Sequence, residues 1–431
     1  MPRRLLNDVN DTRQIYRRVS WRLLPLLTLL YFAAYLDRVN VAFAKLQMSA
    51  DLGITDASFG LGAGIFFIGY LAFQLPSNYL LVRLGARRWI GSICIAWGIA
   101  SCAMSLMSRT TEFYSLRFLL GLAEAGYFPA VVWFLSRWYP QRYRAWAMAV
   151  VLSSVQLAGI VGGPLSGQVL ERLSGTLGLR GWQWLFILEG IVPVLLGLVA
   201  YRALADSPAS APWLTGPQRE VIRAEVVLPV KSSNRRFIEA FANVRTYTLG
   251  LGYFSVICAL YVLIFWTPTL IADAGVARIG TVGNLSAIPA LGAIVSMLGV
   301  GRIADRTAQP TKWTVISAVA GAVGLCTIPI VGDSLLWLLA ALCLANAGLS
   351  SATSCFWAIP RPFASESESA GGIALINTLG ALGGFVGPTF TGLTTRGAGK
   401  VDVGLYVASA TLLIGSLLLV VSSAALQRRS W

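Results

Sequence analysis

The stretch ASFGLGAGIFFIGYLAFQLPSNYLLVRLGARR, residues 57–88, decides the fold class. Residues 57–82 hold no Asp, Glu, Lys or Arg, and residues 83–88 then hold three arginines, Arg83, Arg87 and Arg88. At about 1.5 Å per residue the uncharged run is longer as a helix than the roughly 30 Å of hydrocarbon in a bilayer. Inside a bilayer every backbone polar group must be satisfied within the structure, which a helix does unaided. The basic cluster marks an end that stays in water, on the side where Lys and Arg collect.

The same alternation recurs along all 431 residues. Apolar spans fall at about 21–43, 57–82, 89–108, 112–136, 145–170 and 181–201. A second group falls at about 246–272, 279–301, 313–332, 334–360, 369–395 and 403–427. The expectation is an all-α membrane protein of twelve helices in two six-helix bundles: residues 1–201 with the N-terminal tail, a linker at 202–245 and residues 246–431. The linker carries Pro and Gly and the charged run LTGPQREVIRAE, which reads as a short amphipathic helix. If alternate loops lie on opposite sides, 25 of the 34 Lys and Arg fall with the two tails and the even-numbered loops, and seven on the other side. That bias leads to the expectation that both termini lie in the cytoplasm.

Composition agrees, with 56% hydrophobic and 12% charged residues and a mean hydropathy of +0.68. The net charge of +15 is spread between spans as topology signals are, so it points to the lipid bilayer as partner and not to nucleic acid. None of the six cysteines shows metal-site spacing, and they read as small core residues. The chain has no histidine, so proton chemistry falls to carboxylates, with tyrosine or cysteine as the lesser alternative, and most zinc sites and His-based triads are removed. No metal or cofactor is expected, the proton being the coupling ion. The basic start is too polar for a signal-peptide core and reads as a cytoplasmic tail.

A charged residue within a span costs about 2.5–3.5 kcal/mol on insertion scales, so those retained are functional candidates. They are Asp37 and Arg38 in the first span, Arg117 and Glu124 in the fourth, and Glu189 near the end of the sixth. Arg117 and Glu124 project from one helix face about 10.5 Å apart along the axis, too far to pair directly. Each needs a partner elsewhere, and Asp37 with Arg38 offers one of each sign. The four make a neutral network whose protonation would free an arginine for a substrate carboxylate. Locking the helices together is the structural alternative for all four, and a structural role is the expectation for Glu189.

The second group of spans has no ionisable Asp, Glu, Lys or Arg in its interior. It offers Tyr253, Tyr261, Ser354, Trp357 and Asn377 instead, and the first group adds Tyr35, Tyr70 and Gln156. Such groups read hydroxyls or stack on a ring. Gly-rich strings at 158–168 and 380–388 lack the P-loop lysine and lie within spans, so they indicate close helix packing.

Taken together, YLDRVNVAFA (35–44), GLGAGIFFIGYLAFQLPSN (60–78), RFLLGLAEAGYFPA (117–130), GWQWLFILEG (181–190) and FWTPTLI (265–271) resemble the anion:cation symporter family of the major facilitator superfamily. That family includes bacterial carriers for tartrate, phthalate, hydroxyphenylacetate and galactonate, and is related to sialin and the vesicular glutamate transporters. The resemblance implies proton sites at Asp37 and Glu124 and anion-binding or tuning roles for Arg38 and Arg117. It implies a substrate pocket drawn from Tyr35, Tyr70, Gln156, Trp357 and Asn377, to which the residue reading above adds Ser354. The superfamily's loop motif GxxxD(R/K)xGRR is altered after the second span, where Asn78 and Val82 replace the Gly and Asp beside Arg83 and Arg87. The copy after the eighth span keeps Gly301, Asp305 and Arg306, so a cytoplasmic gating lock is expected to lean on that copy.

The expected activity is proton-coupled import of a small organic carboxylate by alternating access, in a protein that works as a monomer. An exchanger or uniporter of the same fold is the alternative. A membrane-embedded enzyme is disfavoured by the missing histidines and scarce carboxylates, and a sensor by short tails and linker.

Overall fold

The computed structural model describes residues 2–226, 243–331, 334–359, 366–398 and 401–427. Their helices run α1 Pro2–Leu52, α2 Asp56–Leu84, α3 Ala86–Met104, α4 Thr110–Glu124, α5 Tyr127–Trp138, α6 Gln141–Arg172 and α7 Gly181–Ala203. They continue with α8 Gly216–Glu225, α9 Val244–Asp273, α10 Ile279–Thr307, α11 Pro310–Thr327, α12 Leu335–Phe356, α13 Glu366–Ala398 and α14 Asp402–Gln427. Ten segments are long and apolar enough to cross a membrane, with α4 and α5 forming one of them. The helices α3 and α11 complete the twelve crossings. Their first turns carry Arg87 with Arg88, and Lys312, which leaves a shorter apolar remainder. Helix α8 is the amphipathic helix expected in the linker.

Twelve successive crossings put the start of α1, the end of α14 and the even-numbered connections on one face, here called the terminal face. The odd-numbered connections lie on the opposite face. In the first half α1 packs on α6 and α7, α2 on α4, and α3 on α7 and α4. In the second half α9 packs on α13 and α14, α10 on α12, and α11 on α12 and α14. The halves meet where α2 lies on α13, α6 on α10 and α1 on α9.

Those meetings sit towards the opposite face. A Cβ on Gly60 of α2 would stand 3.0 Å from Cα of Gly392, and one on Gly283 of α10 would stand 2.3 Å from the Gly163 carbonyl oxygen of α6. Only glycine permits such backbone approach, which is the packing role expected of the Gly-rich strings. Towards the terminal face, no hydrogen bond or ion pair among the described residues joins the halves beyond Gln156 Nε2, which donates to Met297 Sδ at 3.7 Å. Gly299 and Gly301 of α10 face open space. Among the described residues, the polar contacts and the glycine approaches between the halves gather at the opposite face.

Three expectations need correction. The polar stretch before residue 21 is not a separate tail but the beginning of α1. It buries Ile15, Tyr16, Val19 and Leu23 at three- and four-residue spacing, so one stripe packs while the basic residues stay out. The first span does not end at residue 43 but runs on to Leu52, and thereby takes in a buried cation, Lys45. The fourth span breaks at Ala125–Gly126 into α4 and α5, just before Pro129 and just after Glu124.

Candidate substrate and proton site

Four crossings bring the charged residues together. Gly121 lets α4 press its backbone on α2, where an added Cβ would stand 1.9 Å from the Phe66 carbonyl oxygen. This contact places the Phe66 ring between two cations. The Arg117 guanidinium carbon lies 4.8 Å from its centroid and that of Arg38 5.2 Å. The ring's negative face attracts both charges.

Arg38 reaches across to Glu124. Its Nε and Nη2 both donate to Glu124 Oε2 at 2.8 Å, and Oε1 has no hydrogen-bond partner. The rings of Tyr35 and Tyr70 flank the same guanidinium at 5.0 and 5.4 Å. Glu124 is 1% exposed, so this pair is nearly dry on the carboxylate side. Breaking a buried pair by removing one partner costs about 3–5 kcal/mol, because a lone charge is left behind.

Asp37 does not close the second pair. Its Oδ1 accepts from Ser101 Oγ at 2.5 Å and from Asn40 Nδ2 at 3.3 Å, while Oδ2 has no partner. Arg117 is wholly buried, and its Nε, Nη1 and Nη2 have no hydrogen-bond partner among the described residues. Asp37 and Glu124 act on it electrostatically without touching it. The four charges are therefore one pair, one hydrogen-bonded carboxyl and one unsatisfied guanidinium. They do not form a closed ring of ion pairs.

The second half meets this cluster with aromatics. Tyr261 packs on Phe67 with centroids 4.5 Å apart and lies within electrostatic range of Arg38. Tyr253 stacks on Phe356 at 4.8 Å, and its hydroxyl accepts from Trp357 Nε1 at 3.4 Å. The Tyr253 hydroxyl is also in electrostatic range of Tyr35 and Tyr261. A charged pole at Arg117 and Arg38 thus grades through tyrosines into an aromatic pole at Trp357.

The other expected pocket residues sit apart from this line. Gln156 bonds Met297, Ser354 is exposed on α12, and Asn377 is half-buried on α13. In the loops, Arg83 stacks on Tyr79 at 4.6 Å, and Arg87 uses its backbone N–H on Asp206 at the start of the linker and its Nε on the Tyr201 carbonyl, neither of them in the second half. Asp305 and Arg306 are exposed and form no ion pair among the described residues.

Residues missed from the sequence are Ser101 and Asn40, which hold Asp37, and Phe66, which seats both guanidiniums. Lys45 was missed as well. It is 5% exposed, binds Asp56 Oδ1 at 2.7 Å, donates to Thr269 Oγ1 at 3.2 Å, and faces the rings of Phe59 and Trp266. The three-residue spacing of Asn40 from Asp37 on α1 was the available signal for one of these.

Two six-crossing halves closing around a buried charged site define a membrane transporter and not an enzyme. The chain belongs to the Major Facilitator Superfamily, whose family profile matches residues 27–388. It is 40% identical over 422 residues to the "Putative tartrate transporter" of Agrobacterium vitis, covering 97% of this chain and 96% of that one. It is 37% identical over 423 residues to the "Putative metabolite transport protein NicT" of Pseudomonas putida, covering 97% of each. Among solved structures the D-xylose-proton symporter superposes with a TM-score of 0.73 at 14% identity, over 93% of this chain and 97% of that one, a likeness of fold.

Proposed function

We propose that this transporter imports a small organic carboxylate together with protons across a bacterial inner membrane, working as a monomer by alternating access. The observation that carries the reading is Arg117, whose three buried nitrogens find no partner although Asp37 and Glu124 lie near. With both carboxyls ionised the cluster is neutral, since two guanidiniums face two carboxylates. A proton on Asp37 or Glu124 leaves one positive charge uncompensated beside Arg117. A substrate carboxylate supplies the missing charge and accepts two parallel N–H bonds from the guanidinium fork. Proton and anion then bind cooperatively because each removes the electrostatic penalty of the other.

The relative named for tartrate supports a carboxylate as the substrate class. Tyr35, Tyr70, Tyr253 and Trp357 suit a hydroxylated or aromatic body behind that carboxylate. The excess of Lys and Arg on the terminal face supports a cytoplasmic position for it, so the closely packed opposite face looks outward. Arg83 and Arg87, with Asp305 and Arg306, are then placed to lock the terminal face when it closes. Protons are the coupling ion, and no cofactor has a role in the cycle.

Uptake into proteoliposomes under an imposed pH gradient tests the proposal, with substrates chosen by a thermal-shift screen of organic acids. Accumulation is expected to follow the gradient in the natural protein. Asp37→Asn and Glu124→Gln are each expected to lower it by about a hundredfold. Uptake indifferent to the gradient would instead make the protein an exchanger or uniporter.

A further inference from the structure

One buried carboxyl has no part in the scheme above. Glu189 of α7 is 6% exposed and forms no ion pair among the described residues. Ser166 Oγ of α6 stands 3.5 Å from its Oε1, and Oε2 has no partner. The Asn40 side-chain amide reaches it as well. The same amide donates to Asp37 Oδ1 at 3.3 Å, so the Asn40 side chain lies near both buried carboxyls.

Each carboxyl keeps one oxygen without a partner, Asp37 Oδ2 and Glu189 Oε2. The ionisable groups facing Glu189 are few. Asp37 acts on it from α1, and Cys102 of α3, whose thiol donates to the Ile187 carbonyl oxygen at 3.6 Å, is the nearest on that helix. From α6 it meets the neutral Ser166. Two carboxylates this close in an apolar interior, one of them held by Asn40, repel each other, and a shared proton relieves the repulsion.

The position of Glu189 gives this proton a source. Asp37, Asn40, Ala44, Gln47 and Asp51 follow one another at spacings of three and four, so they form one stripe along α1. The stripe lies against α6 and α7. Gln47 Nε2 donates to the Leu170 carbonyl oxygen at 3.1 Å, Gln47 Oε1 accepts from the Trp182 N–H at 3.2 Å, and Asp51 Oδ2 accepts from Trp182 Nε1 at 2.8 Å. Asp51 is exposed at the opposite face, and Ala44 is the one apolar member. Arg117 approaches Asp37 from α4, whereas Glu189 approaches from α7, with α3 packed between those helices.

We propose that Glu189 is a proton carrier that loads Asp37 from behind, along the α1, α6 and α7 contact and off the substrate cavity; this rests on the proton-symport reading above. A proton from the water of the opposite face adds to the Glu189 carboxylate. The O–H so formed passes its proton to the Asp37 carboxylate, and Glu189 is a carboxylate again. No electrons are exchanged, and the charge that reaches Asp37 is the one that leaves Arg117 free for an anion. The opposite face can thus stay shut to substrate while it admits protons.

The first probe is the proton itself. Infrared difference spectra of the purified protein in liposomes, taken between acid and neutral pH, report each titrating carboxyl as a C=O band. Glu189→Gln is expected to remove one band and to move the pH at which a second band grows in, the second being the band that Asp37→Asn removes. A spectrum unchanged by Glu189→Gln overturns the proposal, as does a lost band with the Asp37 profile unmoved. Asn40→Leu keeps both carboxyls and cuts the link, so it decides the matter if Glu189→Gln fails to assemble. An Asp37 profile identical to the natural protein's in Asn40→Leu overturns the proposal.

Transport of tartrate in proteoliposomes supplies the second probe. Glu189→Gln is expected to lower gradient-driven accumulation by about tenfold while tartrate exchange at equal pH persists, and Glu189→Asp to restore the accumulation. Loss of exchange together with accumulation marks a merely structural residue and overturns the proposal. Failure of the symport reading has a different signature, in which the natural protein's uptake ignores the pH gradient while the coupled infrared bands remain.

Discussion

The two halves share an architecture and divide the chemistry between them. The first half buries Asp37, Lys45, Arg117, Glu124 and Glu189, whereas the second buries no Asp, Glu, Lys or Arg among its described residues. Its buried polar groups are hydroxyls such as Thr267, Ser317 and Ser351, most of which bond back to their own helix or a neighbour. A transporter that rocks one half against the other must break and remake whatever lies between them. Charges held within one half need not be desolvated afresh at every cycle. Aromatic and hydroxyl surfaces tolerate sliding better, because their contacts are weak and broad. The asymmetry therefore suits a device in which one half sets the electrostatic state and the other follows the substrate.

The largest expected effect breaks the charged half. Arg117→Ala removes the one buried guanidinium that has no hydrogen-bond partner among the described residues, and substrate uptake and substrate affinity are both expected to fall by a hundredfold or more, a ratio of about 2.7 kcal/mol. Arg117→Lys retains the charge but not the planar fork, and is expected to recover less than a tenth of the activity. Binding titrations on both variants would check this. A wild-type response in Arg117→Ala would move the anion site to Arg38, and the pairing with Glu124 would then have to open during binding.

How much of this was legible beforehand follows from what each signal measures. Uncharged runs report membrane thickness, so every crossing was visible, and the buried charges stood out because such runs otherwise exclude them. Periodicity was needed for the first turns of α1, where Ile15, Tyr16, Val19 and Leu23 pack among basic neighbours that lower any hydropathy average. Lys45 escaped because it lies next to the polar end of its run, although its helix carries it inward against α9. The Arg38 and Glu124 pair was foreseeable, since a buried carboxylate demands a cation. That Ser101 would satisfy Asp37 in place of Arg117 depends on how α3 seats against α1, which no local pattern encodes. Phe66 is one of 19 phenylalanines, and only the close approach of α2 and α4 at Gly121 singles it out.

An intermediate effect tests where the halves are joined. Lys45 belongs to the charged half, yet its ammonium donates to Thr269 of the other and sits against Trp266. Asp56 is 36% exposed, so water screens that pair and its loss alone costs little. The cation–π and hydroxyl contacts are the drier part, each on the order of 1 kcal/mol. Lys45→Met, which keeps the stem and removes the charge, is expected to raise labelling from the opposite face by roughly threefold to tenfold, a conformational shift of about 1 kcal/mol. A single cysteine introduced by Thr389→Cys in a cysteine-free background, close to Gly60 across the α2–α13 contact, would report it. Unchanged labelling would shift the closure to the glycine contacts and to the ion pair of Glu171 with Arg278.

The smallest expected effect belongs to the charge-free half, and it is the one that sharpens the division of labour. Trp357 stands edge-on to Tyr253 with centroids 5.1 Å apart and donates to its hydroxyl. If this pole only shapes the space behind the substrate carboxylate, Trp357→Phe keeps the ring contact and loses one long hydrogen bond, and KM is expected to rise by no more than about threefold. Trp357→Ala removes the ring and is expected to raise KM by about two- to tenfold, as aromatic contacts worth 0.5–1.5 kcal/mol would. In both variants the dependence on the pH gradient should match the natural protein's, because no charge has moved. Transport assays over a range of substrate concentrations, with and without the gradient, separate these terms. A change in gradient dependence would mean that the aromatic pole reaches the proton site through Tyr253 and Tyr35, and coupling would then be shared between the halves.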